Sequence, residues 1–196
     1  NLSAQDTITR VNELTTEDHQ LNKQIVAQRA LDTFSPDLED QRDLALQELS
    51  QLVPISTQAN ETGSIAVTVA NYPLVQEFEI KPFPTTLDPA NQTVTDGTFT
   101  VPIRGGKLLG QLQSLQRNGV AMTDLDNLAN ALRTQINAIH STGTNRLGNT
   151  SVNFFNDAVP QTGAVDFELS TEVLASADAI ATSVSGNAGD GSLALQ

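Results

Sequence analysis

Apolar residues recur with heptad spacing from Leu108 to Ile139. Leu108, Leu115, Met122, Ala129 and Ile136 hold one position of the repeat, and Leu125, Leu132 and Ile139 hold the other. This spacing predicts a long packing helix over 107–140, reaching ~50 Å at about 1.5 Å per residue. Gly119 predicts a bend or frayed turn in its middle, because glycine costs ~1 kcal/mol relative to alanine there. A second heptad stretch lies upstream, where Val11 and Ile25 alternate with Leu14 and Leu21 and Asp18 interrupts the seam. It predicts a helix from Ser3 to about Ala30 that packs with the first.

Six of the eight prolines, Pro54, Pro73, Pro82, Pro84, Pro89 and Pro102, fall in one window and exclude a helix there. Ahead of that window Ser35 and Pro36 form an N-cap and first helical residue. The helix they start runs from Asp37 to about Leu52, with Leu38, Arg42, Ala45, Leu49 and Leu52 on one face. Inside the window the period falls to two, in Ile65, Val67 and Val69 and again from Thr98 to Ile103 beside the turn signal Asp96-Gly97. Four or five short strands in hairpins are expected, with prolines at edges or bulges. Arg104-Gly105-Gly106 then hinges the chain back into the long helix. Beyond Ser141 the pattern is irregular, with a strand around 165–169, a short helix over 176–184 and a glycine-rich turn over 186–191.

The expected fold class is α+β: an elongated antiparallel helical, coiled-coil-like core with a small inserted antiparallel β domain. By segment, 1–52 supplies the ascending helices, 53–104 the β insert, 105–150 the return helix, and 151–196 a mixed tail packing on the helical core.

Charge narrows the partners. With 10 basic against 23 acidic residues and a net charge of -13, the chain lacks the clustered lysine and arginine that nucleic acid or an anionic membrane requires. Its apolar stretches are far shorter than the ~20 residues that span a bilayer. The first residues, NLSAQDTITR, show no signal peptide. Absence of cysteine excludes disulfides, thiolate catalysis and cysteine-based zinc sites.

Candidate chemistry is sparse. His19 and His140 lie on separate helices in surroundings ordinary for a solvated face or helix end, and no spacing supplies the three or four ligands a metal needs. Asp37, Glu39, Asp40 and Asp43 form the densest acidic cluster, read as partners of a helix dipole and solubilising charge rather than a cation site. The run from Gly186 to Gly191 faintly echoes a calcium-binding nonapeptide, but such sites need stacked copies and it reads as a connector. Arg104-Gly105-Gly106-Lys107 lacks the spacing of a phosphate loop and reads as a hinge. With only His19 and His140, far apart along the chain, no catalytic triad can be nominated, and with no Trp and only Tyr72 a sugar platform is missing. The Asn-x-Ser/Thr matches at Asn1, Asn60, Asn91 and Asn149 arise easily by chance. The residues point to no enzyme and to no catalytic, cofactor-binding or metal site.

Three blocks carry a resemblance. DLEDQRDLALQELSQLVPIS from Asp37 to Ser56, GSIAVTVANYPLVQ from Gly63 to Gln76 and GGKLLGQLQSLQ from Gly105 to Gln116 follow the order of the flagellar hook-associated protein 1 family. Further on, LANALRTQINAIHSTG from Leu128 to Gly143 and the Phe154-Phe155 pair resemble that family's helix end. The resemblance covers roughly Leu14 to Phe155. It implies a structural, self-assembling motility protein of the bacterial flagellum, joining hook to filament as a ring.

The implied partners are other copies of itself, the hook protein, the second hook-associated junction protein, and an export chaperone engaging terminal segments absent here. The implied location is extracellular, after export by the flagellar secretion apparatus without a cleaved signal peptide. The family's long terminal helices do not lie in this chain, so it reads as an excised core fragment, expected to be monomeric in solution. Alternatives are another axial flagellar protein, such as the second junction protein or a flagellin-like subunit, or a surface adhesin whose β insert binds a ligand.

Overall fold

The computed structural model describes residues 3–77, 79–157, 162–187 and 190–195. The chain forms two compact units, 1–118 and 119–196.

In the first unit α1 (Ala4–Arg29) opens with a capping box, in which the Asp6 N–H donates to Ser3 Oγ at 3.2 Å and the Ser3 N–H donates to Asp6 Oδ2 at 2.8 Å. Its heptad seam is buried as the pattern predicts, including Val11, Leu14, Leu21, Ile25 and the polar Asp18. Helix α2 (Pro36–Leu52) packs on α1. Ser35 precedes it but its side chain makes no capping bond. The start is set instead by Pro36 and by the Leu38 and Glu39 N–H groups donating to the Ser35 carbonyl.

Seven strands follow in two antiparallel sheets. The first has the order β1 (Ile55–Ala59), β2 (Ile65–Val69), β3 (Tyr72–Gln76), β4 (Glu79–Ile80). The second has the order β5 (Thr86–Asp88), β6 (Thr93–Thr95), β7 (Thr100–Pro102). That is more strands than the four or five expected, because three-residue strands are too short to show alternation. Pro73 lies beside a register shift between β2 and β3, and Pro102 lies on an edge strand, where a missing N–H costs no ladder bond.

Both sheets share one core with the helices. Val67, Val69, Leu74, Phe83, Val94 and Val101 cluster with Ile8, Val11 and Leu14 of α1 and Leu49 and Leu52 of α2. The seam of α1 is therefore covered mainly by α2 and sheet. Two asparagines on α1 fasten this contact by pairing with backbone. The Ile65 N–H donates to Asn22 Oδ1 at 2.9 Å while Asn22 Nδ2 donates to the Ile65 carbonyl at 2.9 Å. Asn12 does the same for Phe83, accepting at 2.7 Å and donating at 3.4 Å. Each clamp satisfies backbone groups that no sheet ladder reaches.

The chain enters α3 (Gly106–His140, 35 residues) through Gly106, whose φ is +74°. A Cβ there would lie 2.5 Å from the Leu52 carbonyl oxygen, so both the backbone and the close approach require glycine. Gly106→Ala is expected to lower unfolding free energy by about 2–3 kcal/mol. Gly110→Ala, in open space on the same helix, should raise it by up to about 1 kcal/mol. Urea titration of both variants checks the contrast.

In the first unit α3 contributes Leu108 and Leu112 to the core. The helix continues through Gly119 unbroken. In the second unit it leads to a two-stranded pairing of β8 (Thr144–Asn145) with β9 (Ala181–Ser183) and to a short helix α4 (Thr171–Ala175). The strand expected around 165–169 is instead a 3-10 turn, Ala164–Asp166, with an isolated bridge from Leu169 to Phe155. The helix expected over 176–184 is a 3-10 turn, Ala177–Ala179, followed by β9.

Candidate assembly surface on the long helix

From Gly119 to His140, α3 presents two faces of opposite character. Ala129, Arg133, Asn137 and His140 recur at helical spacing and are buried by the tail of the second unit. The Arg133 guanidinium is 1 % exposed. Its Nη2 donates to Asp166 Oδ1 at 2.7 Å, to the Asp166 carbonyl at 3.0 Å and to the Gly163 carbonyl at 3.4 Å, and its Nη1 donates to Asn130 Oδ1 at 2.8 Å. The Thr162 N–H and then Arg133 hold the Asp166 carboxyl down to about 2.

Asn137 repeats the backbone clamp. Its Oδ1 accepts from the N–H groups of Phe154 and Phe155 at 2.9 and 2.8 Å, and its Nδ2 donates to the Phe155 carbonyl at 3.0 Å. His140 accepts the Ala181 N–H on Nε2 at 2.8 Å, which places the ring proton on Nδ1, 2.7 Å from the Val152 carbonyl. This face is polar and engaged with the tail except at Arg133 Nε, which is buried without a hydrogen-bond partner, and its work is to pin irregular backbone onto the helix.

About a quarter-turn round the helix the second face is apolar and open. Leu125 is 56 % exposed, Leu128 55 %, Leu132 42 % and Ile139 39 %. Met122, which shares its heptad position with Ala129 and so lies off this stripe, is open as well. Leu125, Leu132 and Ile139 keep the spacing of seven that a partner helix with its own heptad repeat would match. A row of large side chains left in water in this way marks an interaction surface. The heptad expectation for α3 thus differs from what is seen: Leu108 and Ala129 are buried, whereas Leu115 and the second seam position are exposed within this chain. The physical reason lies in the tail, which spends its hydrogen-bonding groups on the Arg133 face and offers no apolar cover to the leucines.

The other sequence candidates are dispersed or engaged. His140 has both ring nitrogens occupied, so the solvated helix end expected for it is corrected to a buried structural position. His19 is also buried rather than on a solvated face, and burial, then Lys23, pushes its pKa down. In the acidic cluster Glu39 pairs with Arg29 at 2.7 Å, and Asp37, Asp40 and Asp43 are exposed. Asp190 accepts from Ser183 Oγ at 2.9 Å, Ser185 Oγ at 2.7 Å and the Ser192 N–H at 3.0 Å, which makes it the organiser of a turn. Gly189 of the same run lies outside the described residues. Among the described residues no group of three or more His, Asp and Glu side chains could hold a metal ion, and no helix is long and apolar enough to cross a membrane.

Sequence reasoning missed the buried Arg133 and the three asparagine clamps. Residues 133, 137 and 140 fall at helical spacing, but α3 is polar at many other positions as well, so the sequence carries no signal that sets them apart.

These features define a helical packing domain whose buried polar groups serve the backbone and whose open surface is a heptad-spaced apolar stripe. The chain belongs to the family described as the helical domain of the flagellar hook-associated protein FlgK, whose model matches residues 1–155. It is 28% identical over 183 residues to the flagellar hook-associated protein 1 of Bacillus subtilis, covering 76% of this chain and 36% of that protein. It is also 28% identical over 178 residues to the protein of the same name from Salmonella typhimurium, covering 82% of this chain and 32% of that one. The flagellar hook junction protein FlgK from Burkholderia pseudomallei matches in structure with a TM-score of 0.62 at 26% identity, over 78% of this chain and 30% of that one. The matched region is about a third of the length of these relatives.

Proposed function

We propose that this chain is the core of a non-enzymatic structural subunit of the bacterial flagellum, which joins hook to filament by assembling with copies of itself into a ring at the junction. The observation that carries the reading is the family match over residues 1–155, with relatives named as hook-associated and hook junction proteins. The open face of α3 supplies the physical means, since leucines at heptad spacing match the packing of another helix and gain by burial against it. Hook protein and the second junction protein are the neighbours such a ring would meet. Export without a cleaved signal peptide, with a chaperone on terminal segments outside this chain, completes the reading.

Deleting the full parent gene in its source bacterium tests it. Bare hooks with flagellin accumulating in the medium are the expected result. Normal filaments would overturn the junction role and favour the adhesin reading of the β region.

A further inference from the structure

His140, the last residue of α3, is 5 % exposed and is bound by backbone on both sides. A backbone N–H only donates and a carbonyl only accepts. Nε2, which accepts the Ala181 N–H at 2.8 Å, is therefore unprotonated, and Nδ1, 2.7 Å from the Val152 carbonyl oxygen, carries the ring's single proton. Phe154 packs edge-on against the ring, with centroids 5.3 Å apart. The site accommodates one tautomer of the neutral imidazole, and a second proton on Nε2 would set one donor against another.

The ring holds β9 and, through it, the turn after β8. Ala181 faces Asn145 across a ladder whose register shifts between Thr144 and Asn145. Asn145 is buried; its Nδ2 donates to the Ala179 carbonyl at 3.4 Å, and its Oδ1 accepts from the N–H groups of Leu147 and Asn149 at 3.0 and 2.8 Å. The other attachments of the tail to α3 do not respond to the same proton. The Asn137 clamp has no ionisable group, and the Asp166 carboxyl bonded to Arg133 titrates only at about 2. Among the described residues no charged side chain bonds the His140 ring. On the elements around it Arg146 pairs with Asp178 at 3.4 Å, Asp157 accepts from Asn153 at 3.4 Å and Glu168 accepts from Asn156 at 3.0 Å. The Asp190 carboxyl is held low by Ser185 first, then by Ser192 and Ser183.

We propose that His140 is an acid-sensitive latch: its protonation expels the Ala181 N–H and releases β9 and the 144–149 turn from the end of α3, while Phe154, Phe155 and Asp166 stay pinned. The latch goes beyond the junction reading and does not depend on it. A released imidazole takes up a proton near pH ~6.5, whereas the docked ring has no place for one. The latched state thus binds fewer protons than the released one, so its stability is lost as pH falls. From pH 7.5 to 5.5 the released population is expected to rise about tenfold. Buried histidines act as pH sensors through local openings of this kind.

Hydrogen exchange of the 196-residue chain at pH 7.5 and 5.5, corrected for intrinsic rates, tests the latch. Amides of 144–149 and 181–184 are expected to lose about tenfold in protection at pH 5.5, with Phe154, Phe155 and the 162–167 turn unchanged. His140→Gln should leave protection in both segments equal at the two pH values. In the unaltered chain the imidazole nitrogen resonances at pH 7.5 should show the proton on Nδ1 and a bare Nε2. His19 and the buried Asp18 lie in the first unit, so reading exchange by segment keeps their titration apart. Constant protection at 181–184 between the two pH values, a proton on Nε2 at pH 7.5, or a pH-dependent loss that persists in His140→Gln would overturn the proposal.

Discussion

Arg133→Ala is expected to cost about 3–5 kcal/mol and to loosen residues 141–187 selectively. The guanidinium is nearly inaccessible to water and bonds a carboxylate, an amide oxygen and two backbone carbonyls at once. Truncating it strands those acceptors beside a cavity, which is the costly way to break a buried ion pair. Arg133→Lys should rescue little, since a single ammonium cannot reproduce the planar fork. Arg146→Ala is the control: that side chain is 83% exposed and 3.4 Å from Asp178, and its loss should fall within about 0.5 kcal/mol. Hydrogen exchange resolved by segment would show the difference, with faster exchange after His140 in the Arg133 variants and little change before Asn118.

The second large effect concerns pH. Asp18 sits on the apolar seam of α1 with no exposed surface. One carboxylate oxygen accepts from Asn22 at 3.2 Å and the other has no partner in the chain. Burial pushes its pKa up to about 7, with Arg42 pulling the other way. Between about pH 4 and 7 the unfolded chain has therefore released a proton that the folded chain keeps. Stability falls as pH rises through this window, by an amount on the order of 4 kcal/mol, and stays reduced above it. The lowered carboxyls, such as Asp166 and Asp6, act with the opposite sign but only below about pH 4, where protonation removes their contribution. Asp18→Asn should consequently flatten the profile and raise the melting temperature at pH 8 while changing little at pH 4. Equal destabilisation of the variant at both pH values would show that Asp18 is ionised and stabilising in the fold.

Much of the first unit was legible because its elements obey local rules. The seam of α1 is buried where the heptads placed it, and the proline window marks the β region. Strands β5 and β6 escaped because three residues carry too little periodicity. The faces of α3 were harder. A heptad pattern states that a helix expects an apolar partner, but not whether that partner lies in the same chain. Leu125 and Leu132 read as core and are open, while Arg133 and Asn137, which the heptad pattern does not single out, are buried. The inversion arises because the tail meets this face of the helix with irregular backbone, whose N–H and carbonyl groups are satisfied by polar side chains. Family membership was legible in the ordered blocks from Asp37 to Gln116, which combine a helix, a hairpin and a return turn.

The leucine face of α3 is open within this chain, and the proposed junction assembly requires it to be covered by a neighbouring helix. The direct test places Leu125→Glu with Leu132→Glu in the full-length parent, returned to a strain lacking the gene, with the same pair introduced in the 196-residue chain. The isolated chain is expected to shift in stability by no more than about 0.5 kcal/mol per site, and the cells to carry bare hooks and shed flagellin. Normal filaments, or an isolated chain that unfolds, would contradict it, because the face would then be either idle or part of the chain's own core.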